Sequence, residues 1–316
     1  MNNEESLDCH ENLIASYAAI AGRDYEMMLN RTWGFRFDPA VPGTPQLVGP
    51  RFNAERNPDY EQLLHYHGLK LEIDDTLTSG QIYRHVQEEL LHHRPVAVGM
   101  DAYWCPWYKA PYQKMHFLHY TFVTRTDPET GDLYGLNIIE GTEPVRLPYA
   151  NFEQGCRELT LFRTVPATKQ SFDAELLLRD AAHRLLDNGR PLGAFGEMRQ
   201  FGAALTTADM KAEVQGYTAL PLIAPLIYQM RETFRGRKQF AMALQWMNRN
   251  RSIHSAVLDD TAASLLELYS RWRIVFDLLT KAYFSSSPTE IMAHISAVVN
   301  GLADDEEKLA ESIIQV

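Results

Sequence analysis

After about Ser171 the chain stops using strand patterns, and that switch constrains the fold more than any other feature. Segments 173–188, 193–205, 208–235, 238–248, 261–283 and 288–314 carry apolar residues at helical spacing, parted by short Gly, Asp or Ser breaks. Pro221 and Pro225 should kink or divide the third of these. No repeat of about 34 or 40 residues recurs, so a solenoid is not expected. Before residue 167 short helices alternate with β-branched and aromatic runs. The pattern predicts an α+β chain with a mixed domain over 1–167 and an all-helical domain over 168–316.

In the mixed part, Leu13, Ile14, Tyr17, Ile20 and Ala21 recur at helical spacing, which puts Cys9 at the mouth of a helix with Asp8 as its N-cap. Unpaired N–H groups and the positive end of the helix dipole favour a thiolate at such a place. A small buried cysteine at a helix start serves packing at least as often as chemistry. A short helix over 25–31 and an extended, Pro- and Gly-rich loop over 35–60 flanking the site are expected next. Then come a helix from about Pro58 to Gly68, a strand LKLEID, and an amphipathic helix capped by Ser79 and ended by Pro95. His65 and His67 stand two apart, a spacing that suits metal ligands on a strand but not on a helix, so no metal is expected.

The run PVAVGMDAYW reads as a buried strand, and HYTFVTRT, the turn DPETGD and LYGLNII read as a hairpin beside it. His119 opens the first hairpin strand and Asn137 falls late in the second, so the antiparallel return brings the two near each other. A thiol, a histidine to take and return its proton, and a third group to fix the tautomer are what a thiol acyltransferase or hydrolase needs. His116, three residues earlier, is the rival base, and Glu140 the fallback orienter. Tyr103, Trp104, Trp107, Tyr108 and Tyr112 crowd the loop between strand and hairpin, where they form either a core plug or a substrate-binding wall. A last strand, RELTLFRTVP, follows a helical turn at NFEQGC.

Cys9 opening the first helix, GMDAYWCPWYKAPYQKMHFLHYTFVT leading into the hairpin, and Asn137 downstream resemble the butirosin biosynthesis protein H-like family of the papain-like superfamily. The resemblance implies a papain-like fold over the first domain and acyl transfer through a cysteine thioester. The donor would be a phosphopantetheine thioester on an acyl or peptidyl carrier protein, the acceptor a small-molecule amine, and no separate cofactor is implied. Carried over, the roles are Cys9 nucleophile, His119 base and Asn137 orienter. Relatives usually carry aspartate at the third place, and asparagine holds the tautomer while supporting an imidazolium less well. An oxyanion-hole amide a few residues before the cysteine is limited here to Asn2 and Asn3, which leaves that role to backbone N–H groups.

At 45% hydrophobic and 22% charged residues the chain is globular rather than disordered. Its net charge of −11 argues against nucleic acid, and the absence of a long apolar run or an apolar leader argues for a cytoplasmic protein with no membrane partner. Three widely spaced cysteines argue against a disulfide scaffold. On an acidic chain the basic residues Arg231, Arg235, Arg237, Lys238, Arg249 and Arg251 are either a solvated face or a dock for an acidic carrier protein, with Arg235, Arg237 and Lys238 its centre. Two other functions fit the same residues: a cysteine peptidase, amidase or thioesterase that uses water, and a catalytically idle binding module with a papain-like shape.

Overall fold

A computed structural model describes residues 4–39, 46–137, 143–168 and 171–315. The fold is α+β, and the chain divides into two compact units, 1–25 with 60–170 and 26–59 with 171–316. In chain order the first elements are α1 (Cys9–Ile20), β1 (Arg36–Phe37), β2 (Phe52–Asn53), α2 (Tyr60–His67), β3 (Leu69–Asp74) and α3 (Ser79–Leu91). The sheet continues with β4 (Val96–Asp101), β5 (Leu118–Thr126), β6 (Leu133–Leu136), β7 (Val145–Leu147), α4 (Tyr149–Gly155) and β8 (Cys156–Thr164). Helices alone follow: α5 (Ala174–Leu186), α6 (Gly193–Leu205), α7 (Met210–Glu213), α8 (Pro225–Arg249), α9 (Ala256–Phe284) and α10 (Pro288–Ile314).

In the first unit six strands form one antiparallel sheet in the order β3-β8-β4-β5-β6-β7. Every residue of β4 is buried, which is why its sequence is a continuous apolar run instead of an alternating one. Side chains alternate across the sheet, so each strand supplies two faces. On one face Ile82 and Val86 of α3 pack with Val96, Val98, Met100, Val123 and Leu159. On the other, α1 lays its His10 ring on Tyr120, centroids 4.2 Å apart, and its Tyr17 ring on Phe162 at 4.7 Å.

The α1 start follows from its sequence. Asp8 Oδ1 accepts the Glu11 N–H at 2.8 Å, and Glu11 Oε2 accepts the Asp8 N–H at 2.9 Å, so two of the orphan donors at a helix start are satisfied reciprocally. Asn12 Nδ2 donates to the carbonyls of Glu4, Leu7 and Asp8 at 3.0–3.1 Å and fastens the segment before the helix. The chain leaves through Gly22 at φ 62°, a left-handed conformation that side chains disfavour. The third helix differs by one residue from its expected cap: Thr78, not Ser79, closes a capping box with Gln81, whose Oε1 accepts the Thr78 N–H at 2.8 Å.

Segment 26–59, which takes in most of the 35–60 loop expected to flank the site, clusters instead with the C-terminal helices. Its backbone donors find acceptors there: Phe37 N–H reaches Glu197 at 3.1 Å, Val48 and Gly49 N–H reach Glu213 at 2.6 and 3.0 Å, and Ala54 N–H reaches Gln229 at 2.9 Å. A 3₁₀ turn over Glu26–Leu29 replaces the expected short α-helix, and β1 pairs with β2. Pro221 and Pro225 do divide the third helical run, because Pro225 starts α8. The expected break between 235 and 238 is absent: α8 runs through Gly236, where a Cβ would lie 2.2 Å from the Thr32 carbonyl oxygen. That glycine serves a close backbone approach and does not end the helix.

At the centre of the second unit Glu306 is fully buried and accepts from four donors on three side chains. Arg237 Nε and Nη2 donate at 3.0 and 2.9 Å, and the indoles of Trp33 and Trp272 donate at 2.8 and 2.5 Å. Phe35 and Phe201 pack beside Trp272 and Phe52 in the same core. Removing only the charge should therefore be costly, since it strands a buried guanidinium. Glu306→Gln is expected to lower the unfolding free energy by about 3–5 kcal/mol in urea titrations, with little change in the slope of the transition. A loss under about 1 kcal/mol would show that water compensates Arg237.

Candidate functional site

The expected catalytic and substrate-binding residues that the structure describes lie in the first unit. Cys9 is the first residue of α1 and keeps a partly exposed surface, while Cys105 and Cys156 are buried. The backbone N–H groups of Tyr120, His10 and Cys9 itself point at the Cys9 sulfur. Burial and the Asp8 carboxylate outweigh them and push the thiol up to about 12. The helix mouth does not leave a thiolate at rest, contrary to the sequence-based expectation.

His119 and Asn137 meet as expected, with Asn137 Nδ2 2.7 Å from His119 Nε2. The amide also reaches the Tyr120 carbonyl and the Thr121 hydroxyl, each at 3.3 Å. Both residues are buried, and Tyr108 packs against the imidazole with centroids 5.2 Å apart. Burial pushes His119 down to about 4, opposed by the Asn137 bond. With Nε2 engaged, Nδ1 is the ring atom left for a proton from the thiol. In the orientation found, Nδ2 faces Nε2, so Nδ1 carries the neutral ring's proton; freeing Nδ1 to accept requires Oδ1 turned toward Nε2, which gives up the bond to the Tyr120 carbonyl.

Cys9 and the His119–Asn137 pair share one residue, Tyr120: its N–H faces the sulfur and its carbonyl faces the amide. No hydrogen bond joins Cys9 to His119. The reason is strand alternation, because α1 packs on the face of Tyr120 and Phe122, and His119 shares the opposite face with Thr121 and Val123. Thiol and imidazole therefore meet at the strand edge or not at all.

A second histidine pair was missed in the sequence. His116 Nδ1 lies 2.7 Å from Asp101 Oδ2, its ring stacks on Tyr103 at 4.4 Å, and Arg157 stands 3.8 Å from the same carboxylate. His116 is exposed, so a base with a carboxylate orienter faces solvent at the end of β4. Asp101 was visible only as a strand-end acid, and nothing local tied it to a residue fifteen positions on. Also missed was His10, stacked on Tyr120 and 3.3 Å from Thr160, which in turn lies 3.4 Å from Glu158; Glu158 accepts the Tyr120 hydroxyl at 2.8 Å.

The aromatic loop divides between the two roles considered for it. Trp104, Trp107 and Tyr108 pack on the α3 side core, Tyr103 covers His116, and Tyr112 is half-buried. Glu140, Asn2 and Asn3 lie outside the described residues. The carrier-docking assignment of Arg237 is corrected: its guanidinium is fully buried on Glu306 and on the carbonyls of Gly34 and Thr233. Arg231 and Arg235 both bridge to Glu232, Arg249 to Glu26 and Arg251 to Glu175, and the Lys238 ammonium sits 5.5 Å over the Tyr269 ring. Among the described residues no three His, Cys, Asp or Glu side chains cluster to hold a metal ion, and no helix is long and apolar enough to cross a membrane.

No protein-family model matches the chain, and no curated protein matches it.

Burial holds His10, His67 and His119 each at about 4, against an ordinary value near 6.5. Between pH 6.5 and 4 the unfolded chain binds protons that the folded chain refuses, so stability is complete above pH 6.5 and falls with acidification. The expected slope is up to about 1.4 kcal/mol per pH unit for each ring, read from urea titrations between pH 7 and 4.5. His119→Gln should remove one ring's share of that slope. A flat stability profile across the window would mean that these rings are charged in the fold.

Proposed function

We propose that the first unit is a thiol acyl-transfer centre, with Cys9 as nucleophile, His119 as base and Asn137 as the group that fixes its tautomer. What carries the reading is a helix-mouth cysteine whose sulfur faces the Tyr120 N–H, one residue along the strand from the buried His119–Asn137 pair. At rest the pair is neutral, a thiol beside an imidazole. Productive substrate binding closes the remaining gap, the Cys9 proton moves to His119 Nδ1, and the sulfur adds to the carbonyl of a thioester. The backbone N–H groups at the start of α1 stabilise the oxyanion. The donor's thiol leaves with the proton from His119, and an acyl-Cys9 remains. An amine then attacks while His119 takes its proton, and collapse yields the amide and returns the thiol.

The donor is a pantetheine-type thioester, free or on a carrier protein. Because the Arg231–Arg251 run is largely engaged by acidic and aromatic neighbours, that run is no longer offered as the carrier's dock. Three free thiols suit a reducing cytoplasm. The missing Cys9–His119 hydrogen bond and the raised thiol favour a second reading, a binding module that keeps the helix and sheet but does no chemistry. The exposed His116, paired with the buried Asp101, supplies a third arrangement, in which His116 is the base.

Intact-mass analysis after exposure to acyl-pantetheine thioesters separates these. An acyl adduct on Cys9 is expected, absent in Cys9→Ala and cleared faster by an added amine than by water. His119→Gln should slow adduct formation about 100-fold or more, with His116→Gln nearly neutral. The reverse order would move the base to His116. No acyl adduct on Cys9 with any of these thioesters would leave the binding module.

A further inference from the structure

The second unit carries a pocket of about 470 Å³ whose lining includes Arg31, Trp33, Asn57, Arg184 and Asn188. Its polar groups are unbalanced in a specific way. Asn188 Oδ1 accepts the Arg190 N–H at 3.0 Å, which fixes the amide's orientation and leaves Nδ2 as a buried donor with no partner. A buried donor of this kind calls for an acceptor from outside the chain. The Arg184 guanidinium makes no ion pair or hydrogen bond among the described residues. Arg31 reaches a carboxylate only at 3.7 Å, on Asp59, and keeps more than half its side chain exposed. Burial and the nearby Arg31 charge push Arg184 down from its usual value, so the two cations stand close enough to feel each other.

Two acidic side chains share the lining. Glu55 is held by Arg190 at 2.9 Å, which removes it as a competitor for the cations. Asp187 accepts the Gly189 N–H at 3.3 Å and opposes the cations from the lining, as Asp180 opposes Arg184 from the same helix. Two converging guanidiniums and an amide donor match a phosphate, whose oxygens accept from several directions and whose second charge rewards a second cation. The volume exceeds what inorganic phosphate fills. We propose that this pocket binds a phosphate monoester, its phosphoryl oxygens held by Arg31, Arg184 and Asn188 Nδ2 and its organic part filling the remaining space. The assignment is independent of the thiol chemistry in the first unit.

The test is a titration of the full chain with inorganic phosphate and with phosphoethanolamine, followed by calorimetry and by ³¹P line broadening at constant ionic strength. Saturable binding is expected, tighter for the monoester. Arg184→Gln should weaken it about tenfold or more, and Asn188→Asp likewise, since aspartate keeps the acceptor for Arg190 N–H while removing the donor. Asp187→Asn, an exposed change with no fold to lose, should tighten binding several-fold. Binding that is non-saturable, that acetate matches, or that Asn188→Asp and Asp187→Asn leave unchanged would overturn the site and assign the Asn188 donor to water. Phosphate should also raise the unfolding temperature of the native chain and not that of Arg184→Gln.

Discussion

Complete burial of β4 is the constraint from which the first unit follows. With both faces covered and both edges paired, to β8 and to β5, that strand fixes the direction of every side chain on its neighbours. Register pairs Met100 with His119 and Gly99 with Tyr120, so the histidine is committed to the α3 side and the tyrosine to the α1 side. A one-residue slip would exchange them, and would drive His119 into the rings that α1 stacks on. The site is thus assembled across a strand edge, not within one face. The Tyr120 backbone is what the sulfur and the amide have in common.

Local chemistry was legible in the sequence wherever the determinants were contiguous. Asp8 announces the helix start, the Asp127–Asp132 turn announces the hairpin, and a hairpin of that length brings His119 and Asn137 together. What the sequence did not disclose was pairing across the fold. His116 and Asp101 are joined by the return from β4 to β5, and segment 26–59 is claimed by carboxylates of helices far along the chain. Proline and glycine content correctly excluded long elements from that segment, yet said nothing about which unit its backbone donors would join.

The basic run shows a different failure, since its correction was within reach of periodicity. At about 100° per residue, Arg231, Arg235 and Lys238 fall on one stripe of α8, while Arg237 falls well off it and toward the core. Density along the chain suggested a patch, whereas angle around the helix separates three half-buried cations from one fully buried one. Arg237 is tolerated because Glu306 neutralises it and because two indole N–H groups complete the carboxylate's shell. A buried pair of this kind fixes which helices meet more than it adds net stability.

Asp8 sets two requirements against each other. Its carboxylate caps α1 and so holds Cys9 in place, and the same negative charge, next in sequence to the thiol, disfavours the thiolate that chemistry would need. The backbone N–H groups at the helix start work in the opposite sense but do not overcome burial. A sulfur so placed rests as a thiol, and under the proposed acyl transfer it would react only when a proton acceptor reaches it. In that reading the acceptor is His119, whose resting charge burial removes and whose ring Asn137 holds. In the proposed reaction, activation would then belong to the bound state, in which the imidazole and the sulfur come within a hydrogen bond.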